Sequence, residues 1–129
     1  MSKKQRISTD RGPAAIGPYS QAIAAGGFIF VSGQIPLDPA TGTFVQGDAG
    51  VQTERVMKNV AAILDAAGSS VDQVVKATIF LKDLKDFEAV NRAYGKAFPG
   101  DPPARSTVEV AGLPKGALVE IEVVALAGS

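Results

Sequence analysis

The chain contains no cysteine, no histidine and no tryptophan. Without Cys there is no disulfide framework and no thiolate nucleophile. Without His, the imidazole that serves Ser-His and Cys-His catalysis, most zinc sites and haem ligation is missing too. Any chemistry is confined to Asp, Glu, Lys, Arg, Tyr, hydroxyls and the backbone. An excess of charge is also lacking: 13 Lys plus Arg stand against 13 Asp plus Glu, so no global field draws in nucleic acid or an anionic membrane surface. Long hydrophobic runs are absent as well. The longest, residues 22–31, is broken by Gly26 and Gly27 and is too short to span a bilayer. The basic start, Lys3, Lys4 and Arg6, reads as a solvated arm, because Ile-Ser-Thr-Asp follows it and not the apolar stretch of a secretion signal. Neither Asn59 nor Asn91 opens a glycosylation sequon. Together these absences make the cytoplasm the expected location, with no membrane partner.

What is present is the composition of an ordinary globular protein, 46% hydrophobic and 20% charged. A length of 129 residues predicts one domain spanning 1–129, with residues 1–12 an N-terminal arm and first short strand. There is no internal repeat and no linker; Gly and Pro separate the periodic segments. Residues 28–32, aromatic and β-branched between Gly26-Gly27 and Gly33, predict a short buried strand after a tight turn. Residues 36–47 form a loop or hairpin excursion. Val56, Val60, Ile63, Leu64 and Ala67 follow helical spacing over about 49–67, with Asp48 to cap the start and Gly68 to end it. Residues 70–73 predict one short turn. Residues 74–81 alternate as a strand, with Val75, Ala77, Ile79 and Leu81 expected on one face and Val74, Lys76, Thr78 and Phe80 on the other. A second helix is predicted over about 84–98, with Phe87, Val90, Tyr94 and Phe98 as its apolar stripe and Asp83 as its cap. Strand-like segments 104–110 and 118–127 finish the chain.

Strands interleaved with two helices predict an α+β fold, a mixed β-sheet with both helices packed on one face. Two helices cover only that face. Strands 28–32 and 74–81 carry large apolar side chains on both faces, so the uncovered face calls for a second copy of the chain.

Candidate chemistry gathers on the two last strands. Arg105, Thr107 and Glu109 share one face of the first, and Glu120 and Glu122 share one face of the second. If the strands pair with those faces aligned, an Arg, a hydroxyl and three carboxylates come together; a one-residue slip separates them, and the sequence leaves the register open. The set is either a solvated polar face with ion pairs of little energetic weight or an anion pocket. In the pocket, Arg grips a carboxylate through parallel hydrogen bonds and a Glu of raised pKa orients or deprotonates a water. Tyr19 sits in a rigid Gly-Pro loop, Ser32-Gly33-Gln34 leaves a strand, and Asn91 borders the second helix's apolar stripe. No phosphate loop, dinucleotide fingerprint or metal-ligand spacing occurs, so neither cofactor nor metal is expected.

Taken together, Ala15-Ile-Gly-Pro-Tyr19-Ser-Gln21, Val31-Ser-Gly-Gln34-Ile-Pro36, Val75-Lys-Ala-Thr78, Asp86-Phe-Glu-Ala-Val-Asn91, Pro103-Ala-Arg-Ser-Thr-Val-Glu-Val110 and Leu113-Pro-Lys-Gly116 through Val119-Glu-Ile-Glu122 resemble the Rid family of reactive-intermediate deaminases. The resemblance is to its RidA branch, the 2-iminobutanoate/2-iminopropanoate deaminases, and it runs from about residue 13 to 127. It implies a chorismate-mutase-like α+β fold, a homotrimer whose sheets pack together, and sites in clefts between subunits. It also implies hydrolysis of 2-enamine and 2-imino acids, released by pyridoxal-phosphate enzymes, to 2-oxo acids and ammonia. By the same resemblance Arg105 binds the substrate carboxylate and Glu120 positions the attacking water. Tyr19, Ser32, Gly33 and Asn91 line the pocket, and backbone groups near Gly33 and Thr107 hold the imine nitrogen and water. Many members carry Cys where this chain has Thr107, which removes any thiol-based regulation. Two other readings stand beside the deaminase: a module that binds a 2-oxo acid without turnover, and the ribonuclease activity also described in the family. The latter fits poorly with an absence of His and a net charge of zero.

Overall fold

A computed structural model describes residues 3–128. Its strands are β1 (Gln5–Ile7), β2 (Ala22–Ala25), β3 (Phe28–Gln34), β4 (Val74–Leu81), β5 (Ala104–Glu109) and β6 (Val119–Leu126), and its helices are α1 (Ala49–Ala66) and α2 (Phe87–Gly95). The strands form one six-stranded sheet in the order β1-β2-β3-β6-β4-β5. β4 and β5 run parallel, joined by the crossover through α2, and the other pairs are antiparallel. This is the expected α+β architecture. Among the described residues no helix is long and apolar enough to cross a membrane.

The core lies between one sheet face and the helices. Ile29 and Val31 of β3, Ala77, Ile79 and Leu81 of β4, and Val119, Ile121, Val123 and Ala125 of β6 meet Val56, Val60, Ile63 and Leu64 of α1 and Val90 and Tyr94 of α2. α1 keeps the expected bounds because both ends are closed by local chemistry. The Asp48 carboxylate accepts from Val51 N–H at 2.9 Å. At the other end Gly68, at φ +77°, lets Ser69 N–H reach back to the Leu64 carbonyl at 2.9 Å.

Two elements and the place of one residue differ from the sequence reading. β2 was not expected from its Ala-rich sequence; it forms because Gly26 and Gly27, both at positive φ, make the two-residue turn that pairs Ala25 with Phe28. Arg6, read as part of the solvated arm, is exposed but belongs to the first short strand expected within 1–12, where it pairs with Ile23. The second helix is shorter than 84–98: Asp83 caps a 3₁₀ turn at Leu84–Asp86, and α2 stops at Gly95 in tight turn bonds from Ala97 and Phe98. Of its predicted stripe, Val90 and Tyr94 are buried whereas Phe87 is exposed.

Two β-bulges reset side-chain direction. In β4, Val74 pairs with Ala125 and Lys76 with Val124, so Val75 is the extra residue. Val74 therefore faces the core and Val75 faces away, the reverse of simple alternation. In β3, Ser32 and Gly33 together stand opposite Glu122, between the Val31–Val123 and Gln34–Ile121 pairs. The second sheet face carries no helix and exposes Phe28, Phe30, Val108 and Leu126.

The loop after β3 is tied down from below. Asn59 of α1, fully buried, donates to the Leu37 carbonyl at 2.9 Å and the Ile35 carbonyl at 3.3 Å, while its own oxygen accepts from Arg55. Replacing Asn59 by Ala strands these carbonyls in the interior, and a loss of about 2–3 kcal/mol is expected. Urea unfolding should show a lower midpoint with an unchanged slope.

Candidate functional site

A cavity of about 510 Å³ opens beside the β3 bulge, lined among others by Tyr19, Ser32, Gly33, Lys115, Glu120 and Glu122. Its walls are built by loops that buried polar groups hold in place. The Gln21 amide accepts from Thr9 N–H at 2.7 Å and donates to the Thr9 and Pro13 carbonyls at 2.9 and 2.7 Å, fastening the segment that supplies Pro13 and Ala14. The Gln52 side chain accepts from Leu118 N–H at 2.9 Å at the entrance to β6. Ser32 donates its hydroxyl to the Ser20 carbonyl at 2.6 Å, which commits its proton and leaves only lone pairs toward the cavity. Tyr19 is half exposed, its ring against Gly17 and its hydroxyl near Ile16 N–H at 3.4 Å. Lys115 holds the left-handed conformation, φ 56°, that its loop requires.

Gly33 leaves open the space beside the bulge that the Glu120 side chain fills. A Cβ at this position would sit 2.9 Å from the Glu120 carboxyl carbon, so the absent side chain is the space the carboxyl occupies. Packed there, Glu120 has its pKa raised, first by burial and then by the negative charge of Glu122 two residues on.

Arg105 lies elsewhere. It pairs across the sheet with Ala77, and Ala77 with Val123, which puts it on the helix-bearing face near the outer edge. Its guanidinium carbon stands 5.2 Å from the Tyr94 ring centre and 5.7 Å from that of Phe87. It makes no ion pair among the described residues. Thr107 shares that face, and its hydroxyl is buried without a partner. Asn91 stands four residues after Phe87 and three before Tyr94, on the same side of α2. Glu109 is removed from the set: its carboxylate accepts from Leu84 N–H at 2.9 Å and closes the turn before α2.

The pairing of the two last strands, on which the expected cluster depended, does not occur. β4 lies between β5 and β6, and Glu120 and Glu122 pair with Phe80 and Thr78 of β4, on the helix-free face. The candidates therefore fall into two separate groups within one chain: Tyr19, Ser32, Gly33 and Glu120 on one side of the sheet, and Asn91, Arg105 and Thr107 on the other. Sequence alone does not assign Phe87 and Tyr94 to Arg105; their seven-residue spacing is the available signal, and by itself it reads as a core stripe.

With this geometry in hand, the comparisons place the chain in a known class. The family model described as endoribonuclease L-PSP matches residues 9–127. Reactive Intermediate Deaminase A, chloroplastic, of Arabidopsis thaliana is 52% identical over 95% of this chain and 66% of its own length. A crystal structure from Yersinia pestis of YyfA, a protein of unknown function of the conserved Rid protein family, is 51% identical, covers 97% of this chain and 100% of its own, and superposes with a TM-score of 0.95. That of E. coli TdcF with bound serine is 42% identical, covers 96% of this chain and 99% of its own, and gives 0.91. The chain belongs to the endoribonuclease L-PSP family, which includes the Rid proteins, and has the chorismate-mutase-like α+β fold expected from its motifs.

A raised carboxyl pKa has a stability consequence of definite sign. The folded state prefers protonated Glu120, so this contribution to stability is fully present below the ordinary Glu pKa and is lost as pH rises through the raised one. Glu120→Gln should raise Tm at pH 7, with the gain vanishing at acidic pH. In a carboxyl ¹³C titration, both Glu122→Gln and Gly33→Ala should move the Glu120 midpoint down. The first removes a neighbouring charge, and the second pushes the carboxyl toward water.

Proposed function

We propose that this chain is a hydrolytic deaminase of the RidA branch, acting in the cytoplasm as one domain of residues 1–129. On this reading it converts reactive 2-enamine and 2-imino acids, such as 2-aminoacrylate and 2-iminobutanoate, to 2-oxo acids and ammonia. Pyridoxal-phosphate enzymes, from which such species escape, are thereby protected. The observation that carries the reading is the division of the candidate residues. A cation with uncommitted donors, Arg105, sits at one edge of the sheet, and a carboxyl of raised pKa, Glu120, lines a cavity on the opposite face. The two complement one another only when a second copy brings its Glu120 cavity against Arg105. The exposed Phe28, Phe30, Val108 and Leu126 supply an apolar surface for that association, and a homotrimer with sites between subunits satisfies both needs.

In the composite site Arg105 would grip the substrate carboxylate through two N–H donors. Tyr19, Ser32 and Asn91 would shape the pocket, and backbone groups at Gly33 and Thr107 would hold the imine nitrogen and a water. The protonated imine is already electrophilic, so the water needs orientation and modest base assistance. Glu120, once ionised, accepts a proton from the water as its oxygen bonds to C2. The same proton passes to the nitrogen of the adduct; the C2–N bond then breaks with its electron pair leaving as ammonia while the C2 hydroxyl gives its proton back to Glu120, which passes it to the departing ammonia as ammonium, and C2 keeps the oxygen as the 2-oxo group. No thiol, imidazole or metal enters any step of this scheme. The bound serine of the TdcF crystal structure supports a small amino-acid-like carboxylate as the ligand class.

The assay supplies 2-aminoacrylate or 2-aminocrotonate from a serine or threonine dehydratase and follows 2-oxo acid appearance. This chain should accelerate it, and no acceleration would falsify the enzyme reading. Saturable binding of 2-oxobutanoate without turnover would favour a regulatory module, and RNA cleavage by the purified chain would favour the endoribonuclease name of the family. Arg105→Ala should lower kcat/KM by roughly 150-fold, about 3 kcal/mol for the two charged hydrogen bonds. Arg105→Lys, which keeps charge but loses the paired donors, should cost about tenfold. Sedimentation should give about three times the 13.2 kDa chain mass; a monomer at micromolar concentration would sink the shared-site arrangement.

A further inference from the structure

Arg105 is a long side chain on β5, an edge strand of the sheet. Left to itself such a side chain samples many rotamers, and a two-donor grip on a carboxylate requires one. The usual means of fixing an Arg are missing: among the described residues no carboxylate pairs with it, and no protein acceptor takes any of its five N–H groups. What surrounds the guanidinium is aromatic. Its central carbon lies over the rings of both Tyr94 and Phe87, at 5.2 and 5.7 Å, inside the range of cation–π attraction.

The two rings are not equivalent. Phe87 is 39% exposed, whereas Tyr94 is 4% exposed and packed against Phe98 with ring centres 4.8 Å apart. Tyr94 is thus the immobile wall and Phe87 the outer one. The Tyr94 hydroxyl is buried with no hydrogen-bond partner. Burial raises its pKa against the opposing pull of Arg105, so the ring stays a neutral phenol and adds no anion that would capture the guanidinium. A cation–π contact also commits no N–H, which leaves the donor edge free for a ligand.

We propose that Tyr94 is a positioning residue for Arg105: its fixed ring, with Phe87 as outer wall, holds the guanidinium in the pose that meets the substrate carboxylate. The kinetic part of this proposal rests on the deaminase reading above. A residue that only fills the core would act through stability; Tyr94 acts through the face of its ring. The hydroxyl has no part in it.

The test uses the full chain with residue 94 changed to Phe and to a series of ring-fluorinated Phe residues, which keep shape while draining charge from the ring face. Tyr94→Phe should stay within about twofold of the parent. KM for the imino acid should then climb with fluorination to about tenfold, while kcat holds within about twofold. A flat KM across the series, or a fall in kcat with KM unchanged, overturns the proposal. A second readout needs no turnover: the Arg105 Nε–H proton should be shifted upfield by the rings, unmoved in Tyr94→Phe and displaced downfield in Tyr94→Leu. An unshifted resonance in the parent protein overturns the proposal even if the protein is an active deaminase. A shifted resonance in a protein without turnover, with 2-oxobutanoate affinity falling along the fluorinated series, overturns the deaminase reading and upholds the role of Tyr94.

Discussion

The placement of the candidate residues on the last two strands depends on where β4 is inserted. By pairing antiparallel with β6 and parallel with β5, it stands between the two strands that carry the candidate chemistry. The pleat then sends Arg105 and Thr107 to the helix-bearing face and Glu120 and Glu122 to the other. Had β5 and β6 paired directly as a hairpin, a favourable register would have neutralised Arg105 against the glutamates of its own chain. Separated by a sheet, the cation keeps its donors uncommitted and the carboxyl keeps its raised pKa. The same insertion is the reason the candidate residues of a single chain are divided between the two sides of the sheet.

A second tier of interactions gives the cavity its shape. Its walls are loops, and loops carry backbone groups that need partners when buried. Gln21, Gln52 and Asn59 supply those partners from within the core, each bonding to backbone groups distant in sequence. The β3 bulge adds the remaining device: two residues opposite one turn the chain at Ser32 and Gly33, and the missing Cβ of Gly33 becomes the seat of the Glu120 carboxyl. Buried amides, a bulge and a glycine thus work as one support for a single ionisable group.

Much of this was legible beforehand, unevenly and for identifiable reasons. α1 followed from its apolar spacing, Asp48 and Gly68, because those signals are local and the helix ends where they say. The layer arrangement followed from counting helices against strands with two apolar faces. Side-chain direction in β4 did not, because one bulged residue, Val75, reverses the alternation on which the reading relied. β2 is not legible in the sequence because alanines carry little strand signal, although the Gly26-Gly27 turn beside it is. Periodicity places Phe87 on the apolar stripe, yet the core beneath α2 ends short of it and the ring meets Arg105 instead.

The amino-acid sequence by itself determined which chemistry is open to this protein. With no Cys and no His, carboxylates, Lys, Arg, Tyr, hydroxyls and the backbone are what remain, and the ordered motifs that carry them match a family. Those are properties of residue identity and local spacing, which need no knowledge of distant neighbours. Tertiary structure alone decided the partition of those groups, because strand order and register are set by contacts between segments far apart in the chain, and a shift of one position or one intervening strand reverses the face. It also decided that Arg105 rests on aromatic rings rather than on a carboxylate, a difference that arises only because the crossover from β4 to β5 brings the rings of Phe87 and Tyr94 of α2 to 5.7 and 5.2 Å from its guanidinium carbon.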